Sequence, residues 1–163
     1  MSSQSSGCLG FLFGFGRKQK NQLQFPYKAK QYFFTNAEAS FFHFLKQMIG
    51  EGVIIFPHVA LRDLVSISGV EKTNYYKYYN QIDRKQVDFL LVESKTLKPM
   101  LVIELDDSSH QRADRIQRDE FVEKVLATAK IPIARVPVKQ SYNAKELNEM
   151  FSQIMQASQF ENR

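Results

Sequence analysis

Apolar residues follow helical and then strand spacing along the first half of this chain. Thr35 and Glu38 have the spacing of a capping box, and apolar residues at helical intervals follow them. This pattern predicts a helix that ends at one of the two glycines in residues 50–52. Residues 53–56 predict a short buried strand, and Pro57 is expected to stop it.

The next stretch is the least regular part of the sequence. Residues 61–65 predict one or two helical turns, but residues 66–83 show neither period and are predicted to be irregular. That segment is rich in tyrosine and lysine: Lys72, Tyr75, Tyr76, Lys77, Tyr78 and Tyr79. Two interpretations stay open for the tyrosines, namely packing over an edge of the sheet and stacking against the bases of a nucleic acid.

Two apolar runs further on, residues 86–93 and 99–106, flank a polar loop and predict a β-hairpin. If the two ends of the loop, residues 94–98, face each other, the numbers of opposed residues sum to 192. Asp88 then lies directly opposite Glu104. A slip of one residue would separate this pair, because it would turn one strand over.

Side chains alternate along a strand, so this register puts Glu104 and Asp106 on the same face as Asp88. The other side chains are apolar and are predicted to enter a core: Val87, Phe89, Ile103 and Leu105. Like charges that face each other are destabilising, and carboxylates in apolar surroundings need compensation. The register therefore calls for a bound cation or a neutralised carboxyl.

The second half of the chain predicts a strand between two helices. Residues 113–129 predict a helix with an apolar buried face: Phe121, Val122, Val125, Leu126 and Ala129. Residues 131–136 predict a strand parallel to the second hairpin strand, because strand-helix-strand units favour parallel crossovers. Asn143 is expected to cap a last helix with four inward residues: Leu147, Phe151, Ile154 and Met155. The predicted fold class is α/β, a small mixed sheet flanked by helices.

Composition limits the class of protein. A chain of 163 residues predicts one domain, over residues 31–157, with a flexible basic tail at 1–30 and a short tail at 158–163. The net charge of +5 arises in residues 1–35, which hold five basic residues and no acid. The single cysteine, Cys8, excludes a disulfide framework and fits a cytoplasmic protein.

The N-terminal tail combines apolar and basic residues. Its apolar run, residues 8–15, is too short to span a bilayer, and no basic segment precedes it as in a signal peptide. The basic cluster at residues 17–20 favours a mobile basic tail, and weak contact with an anionic membrane is the alternative.

Three segments carry a resemblance to a known family: Lys85-Gln86-Val87-Asp88-Phe89, Ile103-Glu104-Leu105-Asp106-Asp107-Ser108-Ser109-His110, and the arginine-rich run Arg112, Asp114-Arg115 and Arg118-Asp119. From about Tyr27 to Val136 the chain resembles a bacterial family known only as domain of unknown function 2726. That family is similar to the PD-(D/E)xK, or restriction-endonuclease-like (Vsr-like), superfamily. The resemblance implies a core order αβββαβ, in agreement with the order predicted above.

The resemblance also implies roles for individual residues. Asp88 matches the metal-binding aspartate of the superfamily and Glu104 its second acid, while Asp106 stands where a catalytic lysine is usual. Glu38 matches a helix-borne acid that often completes the site. The missing cation is then supplied from the following helix by one of two residues, Arg118 or Lys124.

The residues support related chemistry without the family. Hydrolysis of a phosphodiester needs a cation such as Mg²⁺ or Mn²⁺, and Mg²⁺ prefers carboxylates and waters. Asp88, Glu104 and the Leu105 carbonyl are candidate metal ligands, and His110 is a candidate general base. A ridge of arginines at intervals of three residues is a candidate phosphate site: Arg112, Arg115 and Arg118.

Each of these residues also has a structural interpretation. The facing acids fit ion pairs with Arg84, Lys85 or Arg135, and Glu38 is explained by its capping box alone. The arginine ridge fits pairing with acids of its own helix, and His110 fits a polar loop residue.

The sequence thus predicts a Mg²⁺-dependent nuclease-like domain that hydrolyses phosphodiester bonds in DNA, without a small-molecule cofactor. The alternative is a catalytically inactive relative that binds nucleic acid or a protein.

Overall fold

The computed structural model describes residues 25–106 and 113–160. The chain divides into two units, Met1–Gln31 and Tyr32–Arg163. Residues 25–31 of the first unit form no helix or strand. In the second unit the described elements follow in this order: α1 Asn36–Met48, β1 Val53–Ala60, α2 Leu61–Leu64, α3 Lys72–Ile82, β2 Gln86–Glu93, β3 Pro99–Asp106, α4 Ala113–Thr128, β4 Ile133–Pro137 and α5 Ala144–Phe160.

The ends of α1 and α5 show how local sequence sets the helix boundaries. The Thr35 side chain accepts a hydrogen bond from the Glu38 N–H, and the Glu38 carboxylate accepts one from the Thr35 N–H, so the predicted capping box is confirmed. The helix ends at Met48, two residues before the first glycine. At α5, the Asn143 side chain accepts from the N–H groups of Lys145 and Glu146, which confirms the predicted cap.

One mixed sheet organises the second unit. Its strands lie in the order β1-β2-β3-β4, with antiparallel pairs between β1 and β2 and between β2 and β3. β4 runs parallel to β3, as predicted from the helix that connects them. Both predicted hairpin strands have the predicted bounds.

Helices cover both faces of the sheet, and each face has its own apolar cluster. On one face α1 and α5 bury a cluster around Phe41, Phe89 and Phe151. On the other face α2, the end of α3 and α4 bury a cluster around Leu61, Val102 and Leu126. The mixed α/β class, with a four-stranded open sheet and five helices, is therefore confirmed within the described residues.

The first strand is longer than predicted. β1 continues through Pro57 to Ala60, and Pro57 pairs with Phe89. Proline is tolerated here because β1 is an edge strand of the described sheet. The next residue, His58, has a positive φ of 52°. Its neighbours Pro57 and Val59 are both paired with β2.

The segment predicted to be irregular contains a helix. α3 occupies Lys72–Ile82, and Ile82 is its one buried residue. The sequence did not predict this helix because its residues are mostly tyrosine, lysine and amide side chains, which form no apolar stripe at helical spacing. No helix in the described ranges is both long and apolar enough to cross a bilayer.

Two residues predicted to lie in a core, Val87 and Ala129, are placed differently in the structure. Phe89, Ile103 and Leu105 pack against α1 and α5 as expected, but Val87 joins the cluster on the opposite face. The alternation of β2 is therefore broken next to Asp88. Ala129, predicted to be buried, is exposed just past the end of α4.

Candidate functional site

The two central strands part at the end of the sheet where the acids lie. Pairing between β2 and β3 runs only from Phe89 with Ile103 to Val92 with Pro99. β2 nevertheless stays paired with β1 as far as Gln86, and β3 stays paired with β4 through its last residue. The start of β2 and the end of β3 thus form a fork in the sheet, at residues 86–88 and 104–106.

The Asp88 carboxylate bridges this fork. Its Oδ2 accepts a hydrogen bond of 2.7 Å from the backbone N–H of Leu105, which takes the place of a bond between the two backbones. This bond holds the Asp88 carboxylate by one of its two acceptor oxygens and so restricts its orientation. Leu105 itself is half-buried and packs toward α1 and α5.

The register of β2 against β3 agrees with the prediction next to the fork. The pairs Phe89 with Ile103, Leu90 with Val102 and Leu91 with Leu101 all have the predicted sum of 192. The pairing stops there, so the predicted pair of Asp88 with Glu104 stays a prediction, and the observed link is the bond from Asp88 to the amide that follows Glu104. The predicted turn was wrong in detail, because a bulge after Leu91 shifts the pairing beyond that residue.

Arg135 of β4 lies on the other side of Glu104. The two residues are partners in the parallel ladder and therefore share a face of the sheet. The Arg135 Nε donates to the Glu123 Oε1 of α4 at 2.6 Å. Glu104 thus lies in register beside a base, and Arg135 also links the sheet to α4.

Asp106 ends β3 and is exposed. Its carbonyl accepts a hydrogen bond of 2.9 Å from the Val138 N–H, which continues the contact with the chain that follows β4. An acid therefore stands at the rim of the fork.

Glu38 is held by its own helix end and by His58. Its Oε2 accepts from the Thr35 N–H at 2.7 Å, and its Oε1 lies 3.0 Å from the His58 Nε2. Burial raises the pKa of the Glu38 carboxyl, but the hydrogen bonds from Thr35 and His58 outweigh burial and leave that pKa below its ordinary value. Glu38 thus serves the cap of α1, whatever else it does.

His58 is the residue of this region that sequence reasoning missed. Its ring lies 4.9 Å from the Phe33 ring and 5.4 Å from the Phe34 ring, between centroids, and Phe34 in turn contacts Phe89. A histidine directly after proline in an apolar run was the available signal. Its left-handed backbone turns the side chain toward α1, a placement that strand alternation does not predict.

Metal ligands do not gather into a larger cluster in this part of the chain. Among the described residues, no group of three or more Asp, Glu, His or Cys side chains is placed to hold a metal ion. A cation between Asp88 and Glu104 would therefore take most of its ligands from waters, the backbone or a substrate, as Mg²⁺ commonly does.

The predicted basic residues are described only in part. Lys124 is exposed on α4, with its Nζ 3.6 Å from Glu120. Lys85, next to β2, lies over the Phe121 ring at 5.2 Å from Nζ to the centroid. The remaining predicted side chains lie outside the described residues: His110, Arg112, Arg115 and Arg118.

Comparison with known proteins places the chain in a family without assigning an activity. No curated protein and no solved structure matches it. A family model described as a protein of unknown function, DUF2726, matches residues 30–154, so the chain belongs to the DUF2726 family.

Proposed function

We propose that the chain is a Mg²⁺- or Mn²⁺-dependent nuclease-like domain that hydrolyses phosphodiester bonds in DNA, in a restriction-endonuclease-like fold. The observation that carries this proposal is the fork in the sheet, where the Asp88 carboxylate is fixed by the Leu105 amide beside Glu104. Two acids at the open end of parted strands provide hard oxygen ligands in one place.

The donor set fits a hard divalent cation. Asp88 and Glu104 supply carboxylate oxygens, the Leu105 carbonyl is the third candidate, and neither cysteine nor methionine is involved. When bound, Mg²⁺ supplies polarisation of a phosphoryl oxygen and activation of a water. Asp88 and Glu104 would hold the ion, and Arg135 lies in register beside Glu104.

The other proposed roles belong to residues that follow β3 in the sequence. His110 accepts a proton from the attacking water, and the arginines of the α4 start hold the phosphate: Arg112, Arg115 and Arg118. Asp106 cannot neutralise the charge that develops on the phosphoryl group, so a cation from α4 must do so. Arg118 and Lys124 are the candidates, and Lys124 is exposed, with only a surface partner at Glu120.

A second function is favoured by the way these acids are used in the fold. The Asp88 carboxylate bonds to the Leu105 amide, and Glu104 lies in register beside Arg135. Together with the acid at position 106, this arrangement fits a catalytically inactive module that binds nucleic acid and keeps its acids for stability.

Metal binding and cleavage together test the proposal. Isothermal titration of Mg²⁺ and Mn²⁺ into the full chain is expected to show one site in the wild type and none in Glu104→Gln. Supercoiled plasmid, linear duplex and single-stranded DNA are incubated with the protein and either cation, with EDTA as the blank. We expect Glu104→Gln to reduce cleavage by about a hundredfold or more.

A matched variant separates the site from general surface charge. Glu149→Gln removes an exposed acid of α5 in the same chemical way and is expected to leave both assays unchanged. Absence of metal binding in the wild type would refute the nuclease proposal. Metal binding with all three DNA substrates intact would favour the inactive binding module.

A further inference from the structure

Helix α3 exposes an unusual number of aromatic rings. Tyr76 is 70% exposed, Tyr78 43% and Tyr75 40%, so these rings do not pack over the edge of the sheet. Only Ile82, at the end of α3, joins the apolar core. Large aromatic groups left in water on one helix indicate a binding surface.

The rings are held by neighbours rather than scattered. Tyr75 stacks on Tyr79 with 6.1 Å between centroids and 18° between planes, and Tyr76 meets Tyr75 edge-on at 5.6 Å. At the end of the helix, Arg62 of α2 forms an ion pair with Asp83. This contact anchors α3 to α2, so the tyrosines form a platform with a fixed base.

A surface cavity of about 350 Å³ opens beside the exposed rings. Tyr75, Tyr76 and Lys72 line one side of it, and the loop of residues 67–70 lines the other. Gly69 suits this loop, since its φ of 71° is a conformation that side chains rarely adopt. The cavity is therefore lined by two tyrosines, one lysine and the apolar residues Ile67 and Val70.

The charge of this region favours a polyanion. Residues 71–85 carry four basic side chains and two acids: Lys72, Lys77, Arg84, Lys85, Glu71 and Asp83. Asp83 is already paired with Arg62. Aromatic side chains are common in interfaces with proteins, but lysine is depleted there. Rings interleaved with lysine match single-stranded nucleic acid, which is bound by stacking and by neutralised phosphates.

We propose that α3 is a platform for single-stranded nucleic acid, on which Tyr75 and Tyr76 stack with bases while Lys72 contacts phosphate. The inference deepens the proposed function and rests on it for where the bound nucleic acid leads. Only three residues separate α3 from β2, the β-strand that carries Asp88. Unpaired bases held on α3 therefore lead toward the fork, which makes an unpaired or frayed strand the substrate class.

Fluorescence anisotropy in EDTA tests the platform without any cleavage. Labelled oligo-dT, oligo-rU and a duplex of the same length are titrated with the full chain. Tighter binding of either single strand than of the duplex is expected, and the two single-stranded arms separate DNA from RNA. Tyr76→Ala is expected to weaken binding about five- to hundredfold, the usual effect of losing one base stack.

Three further variants make the test specific. Tyr76→Phe keeps the ring and should bind within about twofold of the wild type, since stacking needs only the π-face. Lys72→Gln should lower the slope of log affinity against log salt by about 0.7. Tyr32→Ala removes a tyrosine that is 73% exposed outside α3 and should change nothing.

The outcomes separate this proposal from the nuclease proposal. No saturable binding of either single strand, preference for the duplex, or equal binding by Tyr76→Ala would each overturn the platform. If binding follows the tyrosine variants while no DNA is cleaved in Mg²⁺, the platform stands and the nuclease proposal fails.

Discussion

Asp88 allows structure and metal binding to be separated with two substitutions. Its Oδ2 accepts the Leu105 N–H at 2.7 Å, which places its charge beside the residue that follows Glu104. Asp88→Asn keeps an acceptor oxygen and removes the charge. Asp88→Ala removes both.

The expected magnitudes follow from these contacts. Leaving the part-buried Leu105 N–H without its acceptor costs about 1–3 kcal/mol, so Asp88→Ala should lower the free energy of unfolding by that amount. For a chain of this length, each 1 kcal/mol corresponds to about 2–4 °C in Tm. Asp88→Asn should equal the wild type or exceed it slightly, because it relieves the repulsion with Glu104.

Urea denaturation followed by circular dichroism measures both variants, with and without Mg²⁺. An ion that binds only the folded state and is present at about 100 times its Kd adds about 2.7 kcal/mol to stability. Only the wild type should gain this increment. Asp63→Asn, at an exposed position of α2, is the matched control and should gain as the wild type does.

Two results would refute this reasoning. Equal destabilisation by Asn and Ala would show that the charge of Asp88, rather than its acceptor oxygen, supports the fold. An equal gain from Mg²⁺ in the wild type and both Asp88 variants would place the ion away from the fork.

Three further measurements test the fold around the site. Thr35→Ala should lower the free energy of unfolding by about 0.5–2 kcal/mol in urea, because it removes the side-chain cap of α1, and an unchanged midpoint would contradict the capping role. The folded-state pKa of Glu38 is depressed, so its contribution is present above the unfolded pKa and is lost as pH falls through the folded value. Glu38→Gln should therefore flatten the acid side of the stability profile, and an identical profile would argue against this assignment. Phe89→Ala should cost about 3–5 kcal/mol by thermal or urea unfolding, because the ring is fully buried against α1, whereas a loss below about 1 kcal/mol would mean that the cluster collapses around the gap.

The hairpin shows why the sequence predicted part of the site well. Its register is set by which residues are apolar, so the strands align even though the turn differs from the one assumed. The bulge after Leu91 absorbs that difference before it reaches Asp88. The register of the hairpin up to Phe89 and Ile103 was therefore predictable from alternation alone.

Other features depend on contacts between distant segments. α3 lacks an apolar stripe and is held at its end by Arg62 and Ile82, so no local pattern announced it. The reach of His58 to Glu38 requires an unusual backbone at one residue and a neighbouring helix, neither of which a local period encodes. At the fork, β2 stays paired with β1 while β3 stays paired with β4, so the fork depends on the whole sheet and not on the hairpin alone.

The irregular stretch of β1 bears on how the protein behaves at high concentration. As an edge strand β1 has backbone groups open to another chain, and Ile54 and Phe56 add exposed apolar surface. Pro57 offers no amide proton, and the left-handed His58 bends the strand away from a flat edge. Pro57 and His58 therefore disfavour the addition of a second chain along this edge, so the histidine that contacts Glu38 also contributes to keeping the edge unpaired.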